Sequence, residues 1–199
     1  MGLTPVKETV GAVRDVFIKV FELFTGGFKV NKPLGFTSGV VLPKGSLLKV
    51  DESARTATPI KTALMIATAE DNTAIFVGDH PFRVGEHIAV EGQATAATIA
   101  KIEVKDGRNR IRVGAAFIDS GATSIGAPKV VYKTIGAGQD GNLKPFDAPN
   151  GILRYDTTLA TGEEAAVAVR ASVYKGRLPD VFADVHLEDL KLIHFSESK

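Results

Sequence analysis

The chain has 199 residues, and its 24 lysines and arginines against 23 aspartates and glutamates give a formal net charge of +1. This balance gives no electrostatic reason to expect a nucleic acid or a membrane surface as partner, and phosphate binding would need a basic patch that only folding creates. The chain has no cysteine, which excludes disulfides, thiolate catalysis and zinc–thiolate sites. We expect neither a secretory signal nor a membrane span.

Residues 1–30 differ in pattern from the rest of the chain. Apolar residues recur there every three or four positions, which is typical of an amphipathic helix or heptad stripe. Residues 16–24 instead carry the β-branched and aromatic density of a strand. We predict an amphipathic helix or extended arm to about Arg14, followed by a strand to about Phe24, with residues 31–199 forming a β-rich domain.

Four phenylalanines, Phe17, Phe21, Phe24 and Phe28, lie close together at the end of this arm. So many aromatic rings in a short segment are expected to be buried, either in the core of the protein or against a partner. The sequence leaves both possibilities open. If a partner covers them, the arm anchors the protein to that partner. The candidate partner-binding residues are Val10, Val13, Phe17, Val20, Phe21 and Phe24.

From Leu34 onward, short apolar runs alternate with turns rich in glycine and proline. Such a rhythm, with almost no helix, indicates an all-β fold, a small barrel or a sandwich. A polar loop is predicted over residues 51–59 and a glycine-rich linker over 136–141. The predicted strands are 39–42, 46–50, 60–68, 74–77, 88–90, 99–104, 110–113, 130–132 and 191–195, the last preceded by a helical turn over 185–190.

Residues 149–179 form the clearest element of the pattern. Residues 151–156 and 166–174 are predicted to be the two strands of a hairpin with its turn around Gly162, because both are rich in β-forming residues. We expect this hairpin to be a core element that closes the β-domain.

None of the motifs that could indicate catalysis or ligand binding meets the structural requirements of such a site. Gly136-x-Gly138-x-x-Gly141 matches a dinucleotide fingerprint, but that site needs a following helix, and Pro145 prevents one. The carboxylate pairs at 70–71, 163–164 and 188–189 fall in predicted turns or termini, where solvated charge is usual. The four histidines, His80, His87, His186 and His194, show no spacing of a metal pair. We therefore predict a protein that is not an enzyme, with no cofactor and no metal site.

Three blocks of the sequence resemble head-fibre and capsid-decoration proteins of tailed bacteriophages. Residues 79–88 resemble the segment G-H-x-F-x-V-G-D-x-I, with Asp79 and Glu86 in place of Gly and Asp. Residues 98–102 with 110–113 are similar to a second strand pair of that family. Residues 151–156, Gly162 and 166–173 resemble its closing hairpin, so that the resemblance spans roughly residues 34–195.

The resemblance implies a structural virion protein with a β-tulip-like decoration fold, made in the host cytoplasm and located on the capsid surface. It implies the major capsid protein as partner, self-association as a homotrimer, and contact with other head-fibre proteins, without nucleic acid or membrane. The arm would then anchor the protein to the shell.

Two other functions remain open from the residues. A β-sandwich binding module or adhesin that recognises a host surface glycan needs exposed aromatic platforms, and the chain has no tryptophan and three tyrosines. A small hydrolase needs two or three titratable groups that converge in a pocket.

Overall fold

The computed structural model describes residues 15–68, 73–114, 129–135, 143–160, 162–179 and 181–197. The fold is nearly all β, which confirms the predicted class. The helical segments are α1 (Asp184–Glu188) and a 3-10 turn at Lys175–Arg177. The strands are β1 (Phe17–Leu23), β2 (Phe28–Val30), β3 (Val41–Leu42), β4 (Leu47–Asp51), β5 (Thr56–Pro59), β6 (Thr62–Thr68), β7 (Ala74–Val77), β8 (His87–Val90), β9 (Ala96–Lys105), β10 (Arg108–Val113), β11 (Lys129–Lys133), β12 (Gly151–Leu153), β13 (Thr157–Thr158), β14 (Glu164–Ala165), β15 (Val167–Tyr174) and β16 (Ile193–Ser196).

The strands form two β units rather than one. Strands β6 to β11 close into a six-stranded antiparallel barrel in the order β10-β7-β6-β11-β8-β9. Eight of the ten strands before and after them build a sheet in the order β1-β15-β12-β4-β5-β2-β14, with β16 also paired to β15. The remaining two, β3 and β13, pair with each other. The barrel is therefore inserted into the sheet unit between β5 and β12.

The barrel is filled by the apolar residues that alternate along its strands. On β10, Ile111 and Val113 are buried in the barrel core, as the alternation of this segment predicts. Ile75 and Val77 of β7 meet them across the same core. Arg110 and Arg112 belong to the opposite face of β10.

The first two strands belong to the sheet. β1 pairs with β15, and β2 lies between β5 and β14. Phe28 is fully buried, and Val16 and Phe17 are nearly so. The predicted strand ending near Phe24 is confirmed, but residues 15–30 are integral to the sheet, so we restrict the predicted arm to residues 1–14, which lie outside the described residues.

We predicted a polar loop over the whole of residues 51–59, but only the first half of this segment is a loop. Its second half is β5, which pairs with both β4 and β2. Ala57 is fully buried between the two threonines that flank it. The prediction was wrong because the polar composition hid a short alternation of threonine and alanine.

The predicted pairing of residues 151–156 with 166–174 is confirmed, but the connection is not a simple hairpin. Ile152 and Leu153 of β12 lie opposite Ala168 and Val167 of β15. Beyond Leu153 the chain leaves this pair, and β13 and β14 join β3 and β2 instead. Gly151 is required here, because a Cβ atom at this position would lie 2.3 Å from a methyl carbon of Val167.

The predicted C-terminal order of a helical turn followed by a strand is also confirmed. α1 precedes β16, which runs parallel to β15. The glycine-rich stretch 136–141 lies outside the described residues.

The two passages of the chain between sheet and barrel are held together at one point, the Glu86 junction, formed by Glu86, Lys61 and Lys133. The chain enters the barrel at Lys61 and leaves it at Lys133, and the backbone N–H of Lys133 donates to the carbonyl of Lys61 at 3.2 Å. Glu86 Oε1 lies 2.7 Å from Lys61 Nζ and 3.7 Å from Lys133 Nζ. Lys61 is only 4% exposed, so its charge depends on this carboxylate.

The loop between β2 and β3 is fastened to the same junction. Lys61 Nζ also donates to the carbonyl of Leu34. The next residue, Gly35, has φ +106°, and a Cβ atom there would lie 1.8 Å from the carbonyl oxygen of Pro81. Only glycine permits this approach of sheet-unit backbone to barrel backbone.

We expect Glu86→Ala to lower the free energy of unfolding by about 3 kcal/mol, because it leaves the buried ammonium of Lys61 without its counter-charge. Lys49→Ala is the control, because it breaks an exposed ion pair with Asp147 that should contribute less than about 1 kcal/mol. Urea unfolding measures both. Equal losses in the two variants would show that the junction has no special role.

Candidate partner-binding surface

Strand β1 lies at an edge of the sheet. Its pairing with β15 occupies one side, and within the described ranges no strand pairs with the other. Register shifts after Phe17, Val20 and Glu22 interrupt the ladder with β15. Irregularity of this kind is common in edge strands, where bulges limit uncontrolled pairing. The outer side of β1 nevertheless offers backbone N–H and C=O groups to an added strand.

The start of β1 is fixed by Asp15. Its Oδ1 atom accepts a hydrogen bond from the backbone N–H of Phe17 at 3.1 Å and lies 3.4 Å from Lys44 Nζ. The backbone hydrogen bond, with a contribution from Lys44, lowers the pKa of Asp15 below its usual value. Arg177 also donates to the carbonyl of Asp15 at 3.1 Å. These contacts hold the beginning of the edge strand against two other loops.

Apolar side chains on β1 are open to solvent. Ile18 is 47% exposed, Phe21 53% and Leu23 43%. Cations flank the ring of Phe21, with Lys19 Nζ 4.8 Å and the Arg170 guanidinium carbon 5.7 Å from its centroid. An aromatic ring with apolar neighbours and adjacent cations is typical of the residues that dominate protein interfaces. We call Ile18, Phe21 and Leu23 the β1 patch.

The structure separates the predicted partner-binding residues. Phe17 is buried in the sheet core, and Val20 is partly buried against the same cluster. Phe24 packs edge-on against Phe28, with 5.4 Å between the ring centroids. Among the predicted residues that the structure describes, Phe21 is the large side chain left exposed. Val10 and Val13 lie outside the described residues.

Ile18 and Leu23 are the exposed residues of β1 that the sequence prediction missed. The helical spacing selected Phe17, Val20 and Phe24, which belong to the core or its margin. A strand reading places alternate residues on opposite faces, but the register shifts in β1 break this alternation. The segment therefore has no single periodicity from which the exposed residues follow.

The C-terminal segment with α1 packs on the outside of the barrel through a buried histidine. His186 is fully buried, and its ring meets that of Tyr132 edge-on, at 5.2 Å between centroids. His186 Nδ1 accepts a hydrogen bond from the backbone N–H of Ala183 at 3.1 Å. Burial lowers the pKa of His186 to about 4 and raises that of Tyr132.

The other histidines have different surroundings. His80 stacks on Phe82, and burial lowers its pKa. His87 Nδ1 lies 2.9 Å from the hydroxyl of Thr98, and His194 is exposed on β16. In the part of the chain that the structure describes, no three histidines or carboxylates form a group that could hold a metal ion.

Three cavities open on the surface of the described chain. One of about 440 Å³ lies between the two units, beside Phe36, His80 and Pro179. Another of about 830 Å³ is bounded by α1 and the turn after β8. The third, of about 620 Å³, lies beside Leu34, Val84 and Glu86. The exposed rings of Phe21, Phe146 and Tyr155 line none of these three.

No known protein family matches the sequence, and neither the curated proteins nor the solved structures contain a significant match. Across the described ranges, no helix has the length and apolar character needed to cross a bilayer. The resemblance to capsid-decoration proteins therefore stays a prediction.

The buried histidine predicts a dependence of stability on pH. An unfolded histidine titrates near 6.5, whereas His186 in the fold has a pKa of about 4. With respect to this residue, the free energy of unfolding is therefore highest above about pH 6.5. It falls as the pH decreases towards 4, because His186 binds a proton in the unfolded chain before it does so in the fold. Between pH 7 and pH 5 we expect a loss of about 2 kcal/mol from this residue.

His186→Asn keeps an acceptor near the Ala183 N–H but cannot titrate. We expect this variant to lose less stability between pH 7 and pH 5 than the unaltered protein does, as measured by urea unfolding at the two pH values. His194→Asn, at an exposed position, is the matched control and should leave the pH dependence unchanged. An unchanged pH dependence in His186→Asn would contradict the role of burial.

Proposed function

We propose that this chain is a structural virion protein that binds the outside of a tailed-phage capsid as a decoration or head-fibre component. It stabilises the shell or carries fibres there, and its partner is the major capsid protein. The observation that carries the proposal is the open edge of β1 with its exposed patch. The resemblance of three ordered sequence blocks to decoration proteins supports the choice of partner.

The proposed contact joins a neighbouring backbone to the outer edge of β1. An added strand satisfies the edge N–H and C=O groups, while side-chain pockets of the partner take up Phe21 and its neighbours. Removing Ile18 and Leu23 from water adds a hydrophobic contribution. Residues 1–14 precede β1 in the sequence, and in this proposal they add to the contact.

The structure favours this function over a glycan-binding module. Sugar recognition requires aromatic faces that line a concave site, and the exposed aromatic rings lie outside the three cavities described above.

Antibodies raised against the full chain test the location directly. We expect immunogold particles to label the heads of the virions of the phage that encodes the chain. Labelling of the tail tip alone, or of no particles, would contradict capsid decoration.

Phe21→Asp tests the edge. The change places a charge at the centre of the β1 patch, and we expect at least about a tenfold loss of affinity for capsids that lack the protein, which corresponds to about 1.4 kcal/mol. Co-sedimentation with the capsids measures the binding. Val84→Asp is the control, because Val84 is 60% exposed in a turn of the barrel, where aspartate is well tolerated.

A chain that begins at residue 15 separates the arm from the edge. It retains every described strand, so that its fold can be verified by circular dichroism before binding is measured. We expect reduced occupancy of the capsid. Full occupancy by both this chain and the Phe21→Asp variant would remove β1 and residues 1–14 from the capsid contact.

A further inference from the structure

The outer face of the β9–β10 hairpin is strongly basic. Antiparallel pairing places Lys101 opposite Arg112 and Lys105 opposite Arg108, and the central pair joins Glu103 to Arg110. The neighbouring Ile111 and Val113 point into the barrel, so these paired residues share its outer face. This face, the basic ladder, carries five cations and one carboxylate, contributed by Lys101, Glu103, Lys105, Arg108, Arg110 and Arg112. Arg110 is buried and paired with Glu103, so the other four cations are the ones open to a partner.

Two of the three pairs in the basic ladder join like charges. Directly opposed like charges destabilise an antiparallel pair. Glu103 offsets this at one end, with its carboxylate 2.6 Å from Lys101 Nζ and 3.3 Å from Arg112 Nε. At the other end, Lys105 and Arg108 are exposed, and neither forms an ion pair with a described carboxylate. A local cost of this kind is expected where a surface serves a partner.

A surface of opposite charge lies on the same chain. The cavity beside α1 is lined by Glu91, Asp184 and Glu188 together with one ammonium group, that of Lys144. Asp189 is exposed next to Glu188. We call this the acidic cavity. Asp184 is also paired with Lys175 at 3.3 Å, so the unpaired negative charge is concentrated towards the end of α1.

The two surfaces lie apart on the barrel. β10, with half of the basic ladder, is three positions from β11 in the closed six-strand order. β9, with the other half, is next to β8, so along this side the separation is set by the length of β9. The turns at 91–95 and 106–107 lie at opposite ends of β9, whose ten residues extend about 33 Å. The ladder therefore cannot reach the acidic cavity of its own chain, whereas a second copy can bring one to it.

We propose that the basic ladder docks on the acidic cavity of a second copy of this chain, in a head-to-tail contact. Such a heterologous contact produces a ring if its rotation closes and an open chain if it does not. Complementary potentials guide the encounter and set the orientation. This contact does not involve β1 or a capsid, so its test is independent of the proposed function.

Sedimentation velocity of the purified full chain tests the contact. We expect a species heavier than the monomer at low ionic strength that dissociates as sodium chloride is raised, because salt screens exposed charges. A monomer at every protein and salt concentration overturns the proposal. A monomer that binds a 20-nucleotide single-stranded DNA through the ladder also overturns it, in favour of a nucleic-acid partner.

Charge reversal identifies the surfaces. Lys105→Glu with Arg108→Glu keeps a like-charge pair in the hairpin, so its stability should change little, and we expect the dissociation constant of self-association to rise more than about tenfold. Glu188→Lys with Asp189→Lys should have the same effect. Lys29→Glu with Lys32→Glu, an equal change of charge at exposed positions of the sheet unit, should leave association unchanged.

The decisive result is rescue. The ladder variant carries Lys105→Glu with Arg108→Glu, and the α1 variant carries Glu188→Lys with Asp189→Lys. In an equimolar mixture the acidic ladder of the first variant faces the basic cavity of the second, and we expect association to return. If each variant alone is monomeric and the mixture is as well, the two surfaces do not contact one another, and the proposal fails. Association of the ladder variant as strong as that of the unaltered chain also overturns it.

Discussion

The arrangement of the molecule depends on one partly buried carboxylate, that of Glu86. Glu86 holds the ammonium groups of Lys61 and Lys133, the residues at which the chain enters and leaves the barrel. The same lysine, Lys61, binds the loop that leads from β2 to β3. A charge removed from water in this way is tolerated only while its partners stay in place. The ion pair thus fixes the position of the barrel on the sheet, and with it the separation of the β1 patch from the basic ladder.

The two proposed contacts use different physical interactions. The β1 patch offers unpaired backbone groups and apolar side chains, which favour a lasting contact through area removed from water. The basic ladder and the acidic cavity interact mainly through charge, which favours fast and oriented encounter. The basic ladder lies on the barrel, and the acidic cavity lies between the barrel and α1, so neither surface includes β1. Self-association through the barrel therefore leaves the edge of the sheet free for a different partner.

The sequence predicted the local elements well and the long-range ones poorly. The alternation in β10, the strand β4 and the order of α1 and β16 follow from neighbouring residues. The division into a barrel and a sheet does not, because β2 pairs with β5 and β14, and the latter is more than 130 residues away in the chain. The basic ladder was also hidden, since its cations are interspersed with other residues and come together only when β9 and β10 pair. The core position of Phe17 and the exposed position of Phe21 depend on bulges that no pattern of residue types indicates.

The adjacent entry and exit of the barrel have a consequence for how the chain is organised. Lys61 and Lys133 are hydrogen-bonded neighbours. The whole barrel is therefore an insertion between two adjacent backbone positions of the sheet unit. Such an insertion can be lengthened at its far end without moving the strands on either side of it. The barrel is in this respect a complete unit inserted at one point of the sheet, and the two flanking parts of the chain are brought together at its base.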